Sequence, residues 1–217
     1  MKKEIIFGWV RIVFGLLIFA LGVHLTIRAD LGLAPWDCLG MGVAKHTPLN
    51  YGLSMTAIAV IILVIDLLLG EKIGFGTIID ALLTGNFVQL FNDVDKLPAT
   101  RSLWAGILTI IGGLVLMAIG QYFYMKSAQC CGPRDALLVG VGKRFRKVPI
   151  GFVLMGILAL VLLGGWLLGG KVGVGTLITA FGTGPVMQLV YLCIHFEPRE
   201  VQHRSVKEAI RILKEKS

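Results

Sequence analysis

The sequence predicts an all-α integral membrane protein with six transmembrane helices and two re-entrant half-helices, its two homologous halves arranged as an inverted repeat. Three observations carry that reading. The first is composition: of 217 residues, 56% are hydrophobic and only 16% are charged. A soluble domain of this length cannot hide so much apolar surface. The second is the length of the uncharged runs. Residues 102–125, 148–170 and 172–194 contain no Asp, Glu, Lys or Arg, and each is long enough to cross a hydrocarbon layer of about 30 Å as a helix. The third is an internal duplication.

Three further spans complete the set. Residues 5–27 are interrupted only by Arg11, residues 51–65 run on past Asp66 to Gly70, and residues 73–91 are broken only by Asp80. The short alternating strands of a membrane barrel are absent. The net charge of +8 does not point to nucleic acid, because the basic residues flank apolar spans as positive-inside sorting requires. Lys2-Lys3, Lys143-Arg144-Phe145-Arg146-Lys147 and the tail after Glu197 are therefore assigned to the cytoplasm, with both termini on that side. The start of the chain has the form of a signal peptide, but its apolar run has a counterpart deep inside the chain and is expected to be retained. Cys38, Cys130, Cys131 and Cys193 show no metal or redox spacing, and the vicinal Cys130-Cys131 reads as a packing element. No metal or cofactor is expected.

The duplication appears on self-comparison. At an offset of 98, Gly22 and Arg28 align with Gly120 and Lys126, and Pro35, Asp37, Gly42 and Lys45 align with Pro133, Asp135, Gly140 and Lys143. One inserted residue later the offset is 99, and thirteen of the twenty-three positions in 68–90 are identical in the second half. They include Gly74, Gly76, Thr77, Thr84, Gly85 and Gln89, matched by Gly173, Gly175, Thr176, Thr183, Gly184 and Gln188. Apolar bias alone cannot align Pro, Asp, Gly, Thr and Gln in order. The units are residues 1–95 (first repeat), 96–196 (second repeat) and 197–217 (cytoplasmic amphipathic tail).

Each half reads as a span, a short segment and two more spans. The short segments, 33–44 and 132–142, reach only about 18 Å as helices, roughly half a membrane. Each opens with Pro and, two residues later, Asp, which suits a first helical turn: Pro lacks only a donor that has no partner there, and Asp complements the positive helix end. Three full spans per half give the halves opposite orientations. The alternative lets both short segments cross, for eight crossings and a parallel repeat; segment length favours the inverted form.

The signatures Gly-Leu-Ala-Pro35-Trp36-Asp37 and Gly132-Pro133-Arg134-Asp135, each followed downstream by Gly-x-Gly-Thr, resemble the YitT/YczE family of small bacterial membrane proteins. The resemblance covers about 15–189. It implies a duplicated protein of the bacterial cytoplasmic membrane, placed among transporters and exporters with largely undefined substrates.

Asp37 and Asp135, with Trp36 and Arg134 beside them, are candidates for a substrate site where the half-helix starts converge at mid-depth. The plainer account is helix capping near an interface, which contributes about 1 kcal/mol. Asp80 lies about 10 Å along its span and aligns with Thr179, so the repeat does not require its charge. It is the candidate coupling residue, against an Asp facing a vestibule or pairing with Arg11. Asp66, nearer a span end, is expected in the solvated interface. Thr84-Gly85-Asn86 and Gly182-Thr183-Gly184-Pro185 suggest helix breaks at Gly85, Gly184 and Pro185, since Pro185 removes a donor and Gly lowers helix propensity. Close helix packing is the competing role of such glycines. Asn86 and Thr183 at these breaks, and Gln89 and Gln188 one turn on, are expected to line the cavity. His24 and Tyr122-Phe123-Tyr124 read as interfacial residues, with Trp9, Trp104 and Trp166 in the same belt. Ser205-Val206-Lys207-Glu208 is a capping-box pattern opening an amphipathic tail helix that rests on anionic headgroups.

The function expected is a secondary carrier for a small organic solute, ion- or proton-coupled through Asp80. There is no phosphate-cradling Gly-x-x-x-x-Gly-Lys motif, and no Ser-His pairing or ligand cluster supports catalysis, so no enzyme is expected. The competing class is a non-transporting membrane accessory supporting a biosynthetic pathway. The partners are a small-molecule substrate and the lipid bilayer, with a homodimer left open and no nucleic acid.

Overall fold

A computed structural model describes residues 2–71, 73–95, 102–127 and 132–196, with backbone only over 2–7. Lys72, the vicinal cysteines Cys130-Cys131 and the amphipathic tail lie outside the described residues. Within them the chain is entirely helical, with no strand. Eight helices follow in order: α1 (Lys2–Arg28), α2 (Pro35–His46), α3 (Tyr51–Leu69), α4 (Phe75–Val94), α5 (Leu103–Met125), α6 (Pro133–Arg144), α7 (Ile150–Leu167) and α8 (Val174–Cys193).

Local chemistry sets the helix ends. Pro35 and Pro133 sit in the first turns of α2 and α6, where a missing N–H costs nothing. The Asn50 side chain accepts from the Leu53 N–H and caps α3. The repeated Gly-x-Gly-Thr is a helix start: the Gly74 N–H donates to Thr77 Oγ1 at 3.3 Å, and the Gly173 N–H to Thr176 Oγ1 at 3.1 Å. Gly70 and Gly169, which close α3 and follow α7, have φ of 80° and 75°, a left-handed conformation that favours glycine.

Among the described residues, five helices are long and apolar enough to cross a membrane: α1 from Gly8 onward, α3, α5, α7 and α8. The sixth expected span, α4, matches α8 in length at 20 residues, but Asp80, Asn86, Gln89, Asn92 and Asp93 lower its apolarity. Its polar residues bond to α1, to α3 and within α4 itself.

The core is built around α1, whose Ile12, Leu16 and Ala20 are fully buried. α1 packs on α5 through glycines: a Cβ on Gly15 would lie 2.8 Å from the Gly120 carbonyl oxygen, and one on Gly22 would lie 2.5 Å from that of Gly113. Rising numbers on one helix meet falling numbers on the other, so the pair is antiparallel. α4 runs parallel to α1, with Trp9 against Phe75 at one end and His24 against Asn92 at the other. α8 runs parallel to α5, with Gly175 beside Ile110 and Tyr191 beside Met125. α3 lies antiparallel to α4, with Gly52 near Gln89 and Thr56 near Asn86.

The short helices fill the space between these pairs. α2 rides along the end of α7, with Gly165 against Cys38 and Leu39 and Gly42 against Leu168. α6 meets the end of α3, with Gly140 against Leu69. Each short helix ends in a lysine that pins a hairpin turn: Lys45 Nζ donates to the Gly169 carbonyl, and Lys143 pairs with Glu71 at 2.7 Å. α2 therefore ends where α1 and α7 end, and α6 ends where α3 ends and α4 starts.

The glycine crossing yields a direct test. Replacing Gly120 by Leu puts a side chain where a Cβ already meets the Phe19 nitrogen at 2.5 Å, and should cost about 1–3 kcal/mol through overpacking. Gly112→Leu, at a position with nothing within 4 Å, should leave the thermal midpoint of the detergent-solubilised protein unchanged. Equal melting of the two variants would refute the crossing.

Candidate functional site

The chain preceding α2 leaves the end of α1, where Gly32 packs on Gly173 and the Leu33 N–H bonds the Lys171 carbonyl at 2.9 Å. It then turns inward, so that α2 starts deep in the molecule and ends at the surface. α6 begins equally deep and leaves towards the opposite end. The two starts touch: the Arg134 guanidinium lies 5.1 Å from the Trp36 ring centroid, a cation–π distance. Trp36 and Arg134 occupy the same register, second in the Pro-x-Asp signature.

Carboxylates surround this contact. Asp37 is 4% exposed and accepts a 2.9 Å hydrogen bond from the Tyr51 hydroxyl. Asp80 of α4 accepts from the Thr84 hydroxyl one turn on. The positive charge of Arg134 acts on Asp37, Asp80 and Asp135 alike, and Asp80 acts on Asp135. A Cβ on Gly132 would lie 3.2 Å from Asp80 Oδ2, 3.4 Å from Asp135 Oδ2 and 4.0 Å from the Tyr124 hydroxyl. Three oxygens thus face one small volume that glycine leaves open. Asp135 is exposed by accessible surface although protein atoms crowd it, as expected of a carboxylate lining a cleft. Its register partner Asp37 is sealed.

Trp36, Asp37, Arg134 and Asp135, together with Asp80, are therefore brought together. The other expected residues are not. Asn86 donates to Thr56 Oγ1 at 3.2 Å and to the Leu82 carbonyl at 2.6 Å, and Gln89 accepts from the Gly52 N–H at 3.3 Å. Both hold α3 to α4. Thr183 bonds back to the Thr179 carbonyl at 2.6 Å, and Gln188 is exposed. The helix breaks are absent as well, since α4 and α8 continue through Gly85 and through Gly184-Pro185. Gly85 serves instead as a packing position: its Cβ would meet the Gly52 carbonyl at 2.8 Å.

Asp66 also departs from expectation. It is fully buried rather than interfacial, because α6 packs across the end of α3 that carries it. His24, expected to be an isolated interfacial residue, lies 2.7 Å from Asn92 Oδ1 and 3.1 Å from Asp95, which Arg28 also pairs at 3.0 Å. This cluster ties the ends of α1 and α4. The reading of single residues missed Tyr51, Thr84, Tyr124 and Gly132. Tyr51 could have been flagged, since it aligns with the aliphatic Ile150.

Comparison with known proteins identifies the family. A model of a family of unknown function, DUF6198, matches residues 6–191. The chain belongs to this family. It is 30% identical over 190 residues to the uncharacterized membrane protein YczE of Bacillus subtilis, covering 87% of each chain. An uncharacterized protein of Haemophilus influenzae is 30% identical over 177 residues, covering 82% of this chain and 80% of that one. The uncharacterized protein YyaS of Bacillus subtilis is 33% identical, covering 76% and 83%. No solved structure matches. This DUF6198 member is thus a multi-pass helical membrane protein.

The buried hydroxyl–carboxylate pair can be tested without a substrate. Tyr51→Phe leaves Asp37 without that donor and should lower stability by about 1–3 kcal/mol. In a double-mutant cycle with Asp37→Asn, the two changes should couple by at least about 0.5 kcal/mol. Strict additivity in thermal or denaturant unfolding would show that the pair contributes nothing.

Proposed function

We propose that this protein is a secondary carrier for a small organic solute in the bacterial cytoplasmic membrane. Its two inverted halves place one substrate site where the half-helix starts meet. The observation that carries the reading is the contact of Trp36 with Arg134, ringed by Asp37, Asp80 and Asp135. Charged groups at such depth are costly in lipid and typically mark solute or ion pathways. Trp36 offers an apolar or cation-attracting face and Arg134 a fixed positive charge. The free N–H groups of two helix starts supply further donors. Asp80 is read as the coupling group. Catalysis is not part of this reading.

The inverted arrangement is supported by the glycine crossing. At the offset of 98, Gly15 corresponds to Gly113 and Gly22 to Gly120. Exchanging the halves therefore turns the Gly15–Gly120 contact into the Gly113–Gly22 contact. Equivalent helices running antiparallel imply a two-fold axis across them, in the membrane plane. With α4 as the sixth span and α2 and α6 re-entrant, Lys45 and the 143–147 cluster lie on opposite faces. Single cysteines at Lys45 and Arg146 should therefore label from opposite sides of sealed vesicles, in a background lacking Cys130, Cys131 and Cys193. Labelling of both from the cytoplasm would sink the topology.

Transport itself is tested in oriented vesicles challenged with a pool of labelled amphipathic and weakly charged solutes. Arg134→Ala and Asp37→Ala should reduce accumulation at least about tenfold, equivalent to 1.4 kcal/mol, while Lys171→Ala should not. Asp80→Asn should abolish gradient-driven movement at unchanged protein levels. A cellular phenotype that survives neutralisation of Asp37, Asp80 and Asp135 together would favour the accessory role instead.

A further inference from the structure

The two helical hairpins of the molecule differ in one respect. In the α3–α4 hairpin the helices meet: a Cβ on Gly52 would lie 3.0 Å from the Gly85 carbonyl, and one on Gly85 would lie 2.8 Å from the Gly52 carbonyl. Asn86 and Gln89 bond across the same seam. At the offset of 99 the corresponding glycines are Gly151 on α7 and Gly184 on α8. Neither has anything within 4 Å of its Cβ position. Apolar burial follows suit: Met55 is 5% exposed and its counterpart Leu154 39%. The same pair of glycines is closed in one half and open in the other.

The candidate site shares this asymmetry. Asp37 is sealed beneath Tyr51 at the start of α3, whereas Asp135 is exposed. The geometry of the hairpins agrees. Each turns on a left-handed glycine, Gly70 or Gly169, which a half-helix lysine from the other repeat holds in place. Gly52 and Gly151 lie at the ends of α3 and α7 farthest from their turns, so a rotation there displaces them strongly.

We propose that the Gly52–Gly85 and Gly151–Gly184 seams are two gates, and that the protein works by exchanging their states. In the alternate conformation α7 closes on α8 through Gly151 and Gly184, burying Asp135. α3 then parts from α4 at Gly52 and Gly85, exposing Asp37. The open gate lies at the end carrying the basic 143–147 run, so the described state faces the cytoplasm. The proposal deepens the carrier reading and rests on it. Backbone contact at both seams explains why glycine stands at all four positions, two of which now face open space.

Disulfide trapping tests the exchange independently of any substrate. The reporters are Gly151→Cys/Gly184→Cys for the open seam and Thr56→Cys/Asn86→Cys for the closed one. They are made in a background with Cys130, Cys131 and Cys193 replaced by Ser and the buried Cys38 retained. The open-seam pair has room for its side chains, and the Thr56–Asn86 pair replaces side chains already in contact, so neither depends on forcing a Cβ into the glycine seam. Membranes are oxidised with copper phenanthroline, and cross-links are read by peptide mass spectrometry and non-reducing gels. Both pairs should cross-link within one chain, since a disulfide requires Cα atoms within about 7 Å. In the protein carrying both pairs, doubly bonded molecules should fall at least about fivefold below the product of the two single yields, a ratio worth roughly 1 kcal/mol of mutual exclusion. Failure of the 151–184 bond where the 56–86 bond goes to completion would make the asymmetry fixed and overturn the gates. Independent formation of both bonds, or a 151–184 bond between two chains, would overturn them too. None of these results touches the topology labelling or the Arg134 and Asp37 flux tests, on which the carrier reading stands or falls.

Discussion

Close backbone approach between α1 and α5 is the constraint on which the rest of the molecule depends. In lipid, apolar side chains gain little by leaving the solvent, so helices associate through fitted contact. Gly15, Gly22, Gly113 and Gly120 let each helix press its carbonyls against the other's backbone. α4 rests on α1 and α8 on α5, so this one crossing sets the separation of the two outer helix pairs. It also sets the gap into which α2 and α6 descend.

The two short helices, α2 and α6, were legible because their signals are local. Pro followed two residues later by Asp marks a first turn wherever it falls, and α2 and α6 both run 12 residues from that Pro. Trp36 and Arg134, the second residues of the two Pro-x-Asp signatures, are in contact. Gly85 was misread because glycine signals both weak helix propensity and close packing. Only the position of Gly52 on a neighbouring helix decides between them. Asp66 was misread for a related reason. Its place along α3 is a matter of counting, but its burial comes from α6, a helix far away in sequence. The weaker apolarity of α4 has the same source: the apolar pattern of one helix does not reveal that its polar residues bond to α1 and α3.

What the duplication leaves unequal bears on how the carrier would work. The glycine turns and the half-helix lysines that reach them recur in both halves, but the seams differ: Asn86, bonded to Thr56, aligns with Pro185, which has no such donor. The site chemistry is not matched. Asp80 aligns with Thr179, Trp36 with Arg134 and Tyr51 with Ile150. In the described state the Tyr51 hydroxyl satisfies the sealed Asp37. After the exchange Asp135 would be sealed, with an aliphatic residue where its own tyrosine should be. A buried carboxylate without a donor costs several kcal/mol as an anion. Arg134, whose charge already acts on Asp135, and the Tyr124 hydroxyl, which faces the same volume, would then be the groups left to compensate it. Asp80 of α4 and Asp135 of α6 face the same small volume beside Gly132. The differences between the two halves are thus concentrated at the candidate site, where Trp36 meets Arg134.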